Sequence, residues 1–352
     1  MVVMIGADSH KATHTVVAVD ELGRVLASKQ VRATSEGHLL LTQWAAQFGE
    51  VMFALEDCRH LTRRLEADLL RAGHRVVRVP TRLMAQARRS AREPGKSDPI
   101  DAEAVAHAAL RYPDLPRAEL DGPAREVKLL SDYRRDLVNQ RTRIAAQVRW
   151  HLHEIDPTLA VPSRGLRRKT VVTQLQARLA TTTGVVARLA RNLLDRCADL
   201  NQQIAALEVE LRDLVRELAP SLLAIPGCGV LSAAAIVGET AGVHRFRSRA
   251  AFARFTGTAP VPVWSGASAG KVRLNRGGNR AMNCALHNIA ITQSRRGVGA
   301  GSAYITKQTS RGKDTTAALR LLRRRLSDTV FTALRLDQIT TPKAQPTLQR
   351  AA

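Results

Sequence analysis

The chain has 352 residues, 45% of them hydrophobic and only 3% aromatic, with a formal net charge of +23. That length allows two or three domains with cores of their own, and the scarcity of aromatics argues against an extended base-stacking platform of the single-strand-binding kind. No apolar run approaches a membrane span, and MVVMIGADSH lacks the basic and apolar regions of a signal peptide. The four cysteines, Cys58, Cys197, Cys228 and Cys284, are scattered and form no metal knuckle or disulfide framework, so a reducing, cytoplasmic setting is expected.

Residues 1–112 read as α/β. Val2–Ala7 is a short apolar strand, and Thr13–Val19 and Arg24–Arg32 are strands joined by a DELG turn. A helix over Ser35–Phe48 leads to a buried-type strand, Val51–Leu55. A helix over Leu61–Ala72 stops at Gly73, and Arg75–Val79 is a further strand. Helices are predicted over Thr81–Arg92 and Pro99–Arg111. The order β-β-β-α-β-α-β-α-α is that of an RNase H-like fold.

Acidic residues fall at informative points of this order. Asp8 ends the first strand, Glu56 ends the fourth, and Asp98 and Asp101 open the last helix. Taken alone, SDPID is a helix start, with Asp98 as N-cap, Pro99 as first helical residue and Asp101 at N3. Residues three apart on a helix also share a face. Strand ends and a helix N-terminus gathered at one sheet edge bring together four carboxylates that repel unless a divalent cation neutralises them. Two magnesium ions held there clamp the attacking and leaving oxygens of a phosphoryl transfer. Asp20 in its turn, Asp57 on the opposite face from Glu56, and Glu103 off the Asp98/Asp101 face are left out of the set.

Residues 120–220 read as two long helices. Leu130, Leu137 and Ile144 recur every seven residues in the first. In the second, Leu193, Cys197, Leu200, Ile204, Leu207, Leu211, Leu214 and Leu218 alternate spacings of four and three, a heptad seam. An intramolecular helical hairpin and a dimerising coiled coil satisfy this pattern equally. Between them, 156–183 reads as a loop with a short helix and a basic RGLRRK run.

The charge lies beyond the first third. Residues 1–110 hold 15 Lys+Arg and 13 Asp+Glu, whereas Ser221–Lys313 holds 13 basic residues and one acid, Glu239. So one-sided a segment implies a polyanion partner, most simply nucleic acid. Within the helical segment 221–335, LLAIPGCGVLSAAAIVGE has the pattern of a helix-hairpin-helix, in which Gly227 and Gly229 let a phosphate approach the N–H groups of the second helix. A glycine- and serine-rich loop follows, with Lys271, Arg273, Arg276 and Arg280 around a new helix capped by Asn279. On loop chemistry alone, Ser265 and Ser268 are ordinary small loop residues. Residues 336–352 read as a disordered tail.

Together, IGADSHK, ALED, KSDPIDAEAVA, IPGCG…AAAIVGE, RFTGTAP…SG and RGGNRAMNCAL resemble the DEDD-type insertion-sequence transposases, the insertion-sequence one-ten family that includes the Piv-type DNA invertases. The resemblance covers roughly residues 1–335, in the family's order. It implies a RuvC-like N-terminal domain over 1–112 whose four catalytic, Mg2+-binding acids are Asp8, Glu56, Asp98 and Asp101, with Mn2+ as an alternative ion. It implies a coiled-coil segment over 120–220 and a mainly α transposase domain over 221–335, which contributes a catalytic serine from an SG-containing loop. Ser265 in WSGASAG matches first and Ser268 second, although VRLNRGGN departs from the family's usual wording after the serine. The implied partners are donor and target DNA, a structured bridge RNA and further copies of the chain, as a dimer or a tetramer, in a prokaryotic, nucleoid-associated setting. Two other readings of the residues stay open: a structure-selective nuclease that activates water, and a non-enzymatic nucleic-acid-binding protein.

Overall fold

The computed structural model describes residues 2–81, 83, 97–115, 117–159, 161–270, 272–275 and 277–340. The chain divides into two compact units, Met1–Asp121 and Gly122–Ala352.

The first unit is built on one mixed sheet. Its strands are β1 (Val3–Ser9), β2 (Thr13–Val19), β3 (Val25–Arg32), β4 (Val51–Glu56) and β5 (Arg75–Val79). Their order is β3-β2-β1-β4-β5. β1, β2 and β3 pair antiparallel, and β4 and β5 run parallel to β1, which is the strand order and polarity of the RNase H-like fold. β1 carries core residues on both faces. Ile5 and Ala7 join Leu41 and Ala45 of α1 (Ser35–Ala45) and Leu65 and Leu69 of α2 (Arg59–Arg71). Met4 points the other way and packs with Ala102, Val105 and Ala106 of α3 (Asp98–Arg111). This is the period-two alternation of a strand buried on both sides. The helix expected over 81–92 lies, apart from Thr81 and Leu83, outside the described residues.

The start of α3 differs from the expected cap by one residue. Ser97, not Asp98, is the N-cap: its backbone is extended and its Oγ accepts the Ile100 N–H at 3.5 Å. Asp98 therefore opens the first turn with Pro99 behind it, where a carboxylate is favoured by the helix dipole and a missing proline N–H costs nothing.

The second unit is helical. α4 (Ala124–Ile155) and α6 (Val185–Leu218) form an antiparallel pair, joined through a 3-10 turn and α5 (Lys169–Leu179). Arg134 Nε donates to Glu208 Oε1 at 2.8 Å and Arg141 Nη1 to Asn201 Oδ1 at 2.9 Å, so residues further along α4 meet residues earlier in α6. Leu137, Ile144, Val148 and Leu152 bury against Leu194, Cys197, Leu200 and Ile204. The apolar seam is thus covered within one chain. Its phase drifts from the heptad reading: Leu194 and Val215 are buried where Leu193 and Leu214 were expected, and Leu193, Leu207, Leu214 and Leu218 flank the seam half-buried. A helix with 3.6 residues per turn drifts against a strict seven-residue repeat.

Beyond this hairpin come α7 (Pro220–Leu223), α8 (Val230–Thr240), α9 (Arg249–Phe255), a short antiparallel ribbon of β6 (Pro260–Pro262) and β7 (Val272–Leu274), then α10 (Arg280–Arg296), α11 (Gly301–Thr309) and α12 (Thr315–Thr340). Val127, Leu211 and Val215 of the hairpin share one core with Ile236, Phe252, Leu286, Ile289 and Phe331, so the segments read separately as 120–220 and 221–335 are packed as one body. α12 runs to Thr340, which corrects the expected disordered tail for residues 336–340; residues 341–352 lie outside the described set. No described helix is long and apolar enough to cross a membrane.

Candidate active site

The carboxylate site begins with a strand register. β1 and β4 are parallel neighbours in which Ala7 stands opposite Leu55, so Asp8 and Glu56 follow side by side on the next step. Strand alternation puts both on the face covered by α3, since Met4 and Ala54, an even number of residues earlier, pack against that helix.

α3 reaches this edge because Gly6 lets it. A Cβ added to Gly6 would sit 2.1 Å from Ala102 O and 2.5 Å from Ala106 N. Backbone rests on backbone, and the first turn of α3 is carried to the end of β1. Asp101 is buried there and Asp98 is half-exposed. Burial raises the Asp8 carboxyl above its usual range; His10 opposes the rise, and the negative charges of Asp101 and Asp98 add to it. Burial pushes the Cys58 thiol up to about 11, with Glu56 and then Asp8 adding to the effect. Asp8 thus feels the charges of Asp98 and Asp101, and Glu56 stands beside it at the strand end.

His10 is the member that sequence reasoning missed. Its Nε2 lies 3.0 Å from Asp8 Oδ2 and 3.5 Å from Asp98 Oδ1. One ligand atom from each of Asp8, His10 and Asp98 falls within 4.8 Å of the other two. The quoted motif IGADSHK contained it, but only the turn after β1, which swings residue 10 back over residue 8, shows the contact.

The donor set fits a hard divalent cation. It offers carboxylate oxygens from two strands and a helix, with one imidazole, and such oxygen-rich sites suit Mg2+ or Mn2+. Burial is the main cause of the raised Asp8 carboxyl, with the Asp101 and Asp98 charges adding to it, and a cation bound there would favour its ionised form. Beside it lies a groove of about 550 Å3 lined by Thr15, Ser28, Lys29, Gln30, Ser97 and Asp98.

The second unit holds the candidate serines. Ser265 lies in the loop that closes the β6–β7 ribbon; it is exposed, its backbone is extended (φ −141°, ψ 165°), and it precedes a 3-10 turn over Gly266–Ser268 without using its side chain as a cap. Ser268 ends that turn, and its side chain lies outside the described set, as do Lys271 and Arg276. Arg273 on β7 and Arg280 at the start of α10 are exposed. Asn279 caps α10 as expected, accepting the Met282 N–H at 2.9 Å.

The glycine pair sits at the turn between α7 and α8. Gly227 has φ +81°, a left-handed conformation, and a Cβ there would press on Ile289 O and the Thr292 side chain at 3.2 Å. Gly229 caps α8 without a side chain. The turn lines a groove of about 530 Å3 with Ser232, Asn288, Thr292 and Arg296. The one acid of the basic stretch is spent inside the fold: Glu239 accepts from Lys128 Nζ at 2.7 Å and from Asn279 Nδ2 at 2.7 Å.

Comparison with known proteins bears on both units. A family model described as a transposase matches residues 5–157, and one described as the IS116/IS110/IS902 family transposase matches residues 219–306. The chain is 28% identical to an insertion element IS116 protein of Streptomyces clavuligerus, over 99% of this chain and 98% of that one. It is 28% identical to an IS900 protein of Mycobacterium paratuberculosis over 92% and 94%. It is 25% identical to the transposase of insertion sequence element IS1111A of Coxiella burnetii over 78% and 73%.

Proposed function

The chain belongs to the IS110/IS116 family of insertion-element transposases, and from that premise we propose that it cuts and rejoins donor and target DNA with two separate sets of groups, a carboxylate-held divalent cation and a serine hydroxyl. The observation that supports the first is the cluster of Asp8, His10 and Asp98 at one sheet edge, with Glu56 next to Asp8 in the strand register and Asp101 in the first turn of a helix that Gly6 admits.

In this reading Asp8, Glu56, Asp98 and Asp101 hold the metal, two Mg2+ ions by the family resemblance. When bound, the metal offsets charge on the scissile phosphodiester and stabilises the leaving oxygen. His10 ties Asp8 to Asp98 and fixes their spacing. Lys29, in the groove beside Asp98, steadies the adjoining phosphates. The Ser265 oxygen attacks phosphorus; the serine O–P bond forms, the bond to the 3′ oxygen breaks, and the proton lost by the serine is balanced by one gained at the 3′ oxygen. A 3′-hydroxyl of the exchanged strand then attacks the phosphoserine and restores the serine. One phosphoester replaces another at each step, so no nucleotide is consumed.

The helix-hairpin-helix reading of Leu222–Glu239 assigns the groove beside Gly227 and Gly229 to a DNA phosphate, with Arg273, Arg276, Arg280 and Lys271 holding the strand near the serine loop. By family resemblance, a structured bridge RNA pairs with target and donor, and the chain works as a dimer or tetramer. The uncompensated positive charge of Ser221–Lys313 supports polyanion binding of that kind.

The test is covalent trapping. Protein with RNA from the flanks of its own element is mixed with labelled donor and target DNA and Mg2+, and resolved on denaturing gels. An adduct lost in Ser265→Ala and in Asp98→Ala, but kept in Ser268→Ala, is the expected result. Cleavage without an adduct, insensitive to both serine changes, would establish a hydrolytic nuclease instead.

A further inference from the structure

An aromatic-poor chain that leaves two tryptophans in water, Trp150 on α4 (74% exposed) and Trp264, asks for a reason, and only the second adjoins a candidate site residue. The protein has three tryptophans. Trp44 packs edge-on against Phe48 with ring centroids 5.1 Å apart. Trp264 is 86% exposed, next to Ser265 in the loop of the β6–β7 ribbon.

The ribbon has two chemically distinct faces. Val261 pairs with Arg273, and Pro262 with Val272. Paired residues of an antiparallel ladder lie on the same side, and successive residues alternate. One face therefore carries Arg273 beside Val261, and the other carries Pro262 and Val272. Gly270 N–H donates to Val263 O at 2.9 Å, one residue out of step with the ladder, so regular pairing ends at Pro262 and Val272. Trp264 lies two residues beyond Pro262 in the loop and, like Val272, which is 63% exposed, stands in solvent. Ser265 follows it directly with an extended backbone.

We propose that the ribbon tip straddles one DNA strand, with a phosphodiester against Ser265 and Arg273 on one face and the adjoining unpaired nucleobase stacked on Trp264 on the other. A nucleic-acid strand is itself two-faced in this sense, anionic along its backbone and aromatic along its bases. The cation side matches the first and the indole matches the second. A single stacking residue is not the multi-aromatic platform that composition argues against; it holds one base out of the duplex where strands must part before they can be exchanged. The inference rests on the assignment of the scissile strand to the Ser265 loop.

Full-length protein carrying Trp44→Phe and Trp150→Phe leaves Trp264 as the sole tryptophan, excited selectively at the red edge where the three tyrosines do not absorb. Its emission is titrated with three deoxyoligonucleotide probes of one sequence: a paired duplex, the same duplex with one unpaired thymine, and a single strand. Quenching by the last two and little by the paired duplex is expected. In the otherwise wild-type chain, Trp264→Ala weakens binding of the unpaired probe by roughly tenfold or more, and Trp264→Phe by no more than about threefold. Equal quenching by the paired duplex, no quenching by any probe, or a clear preference for the ribonucleotide version of the single strand would each overturn the proposal. The same titration in Ser265→Ala separates it from the catalytic reading: quenching kept while that variant still forms an adduct would sink the serine assignment and leave the stacking site standing.

Discussion

Gly6 and Ala102 meet with no side chain between them: a Cβ on the glycine would lie 2.1 Å from the Ala102 carbonyl oxygen. This contact sets the height of α3 above the sheet and, with it, the distance from Asp98 and Asp101 to Asp8. Gly6→Ala forces backbone apart in a packed layer and is expected to cost about 1–3 kcal/mol. Denaturant titration and the trapping assay together check it. Adduct formation should fall far more than the fraction folded does.

Metal binding should be measurable without catalysis. Millimolar Mg2+ or Mn2+ is expected to stabilise the full chain and so raise its unfolding temperature, the stabilisation reaching about 2.7 kcal/mol when the ion stands a hundredfold above its dissociation constant. Asp8→Asn and Asp101→Asn abolish the rise. His10→Ala keeps it but shifts it to roughly tenfold higher metal, since the acids remain and only the group tying Asp8 to Asp98 is lost. A rise unchanged in Asp8→Asn would remove that residue from the site.

The first unit carries a nearly buried ion pair between α2 and β5. Arg78 Nε and Nη2 donate to the two carboxylate oxygens of Glu66 at 2.6 and 2.7 Å. Glu66→Ala leaves a guanidinium with little solvent and should cost about 3–5 kcal/mol. The double change Glu66→Leu with Arg78→Met should cost less than the single one. Urea titration of the two variants decides it.

Stability should also fall on mild acidification through His14. Its ring is buried on β2, stacks on His38 at 5.2 Å, and has no partner at Nδ1 among the described residues. Burial, with His38 and His10 adding, holds its pKa down at about 4. The unfolded chain takes up the proton near pH 6.5, the folded chain only near 4, so this contribution is complete above about pH 6.5 and is lost as pH falls through that window. Between about pH 7.5 and about pH 5 the loss is about 2 kcal/mol. His14→Gln should flatten that part of the profile; an unchanged slope would assign the acid sensitivity elsewhere.

What could be read in advance follows from what is local. The strands of the first unit alternate or run apolar over five to eight residues, and their order alone suggested the fold. Asp8 and Glu56 were findable because each ends an apolar strand. The contacts that tune the site were not: Gly6 on Ala102 joins residues far apart in sequence, and His10 reaches Asp8 and Asp98 only through the turn that follows β1. In the second unit the heptad spacing pointed to the right helices but not to the phase of their seam, and it left hairpin and dimer level. The ion pair and amide bonds between α4 and α6 depend on tertiary pairing that no spacing rule contains.

The helical hairpin of the second unit is also a ruler. α6 has 34 residues, so it is about 51 Å long at 1.5 Å per residue. That is the length of about fifteen base pairs at 3.4 Å each. Its core-proximal end is anchored among α8, α10 and α12. Arg164, Arg167, Arg168 and Lys169 are held beside its middle, where Leu166 O accepts from Cys197 Sγ and Asn201 Nδ2. A duplex lying along it would meet those cations about 25 Å from the core-proximal end, roughly seven base pairs away. Because the spacer is regular, deleting one heptad from each helix between that point and the core would shorten it by about 10.5 Å, close to a third of a turn, and would turn those cations toward a different groove without touching either chemical site.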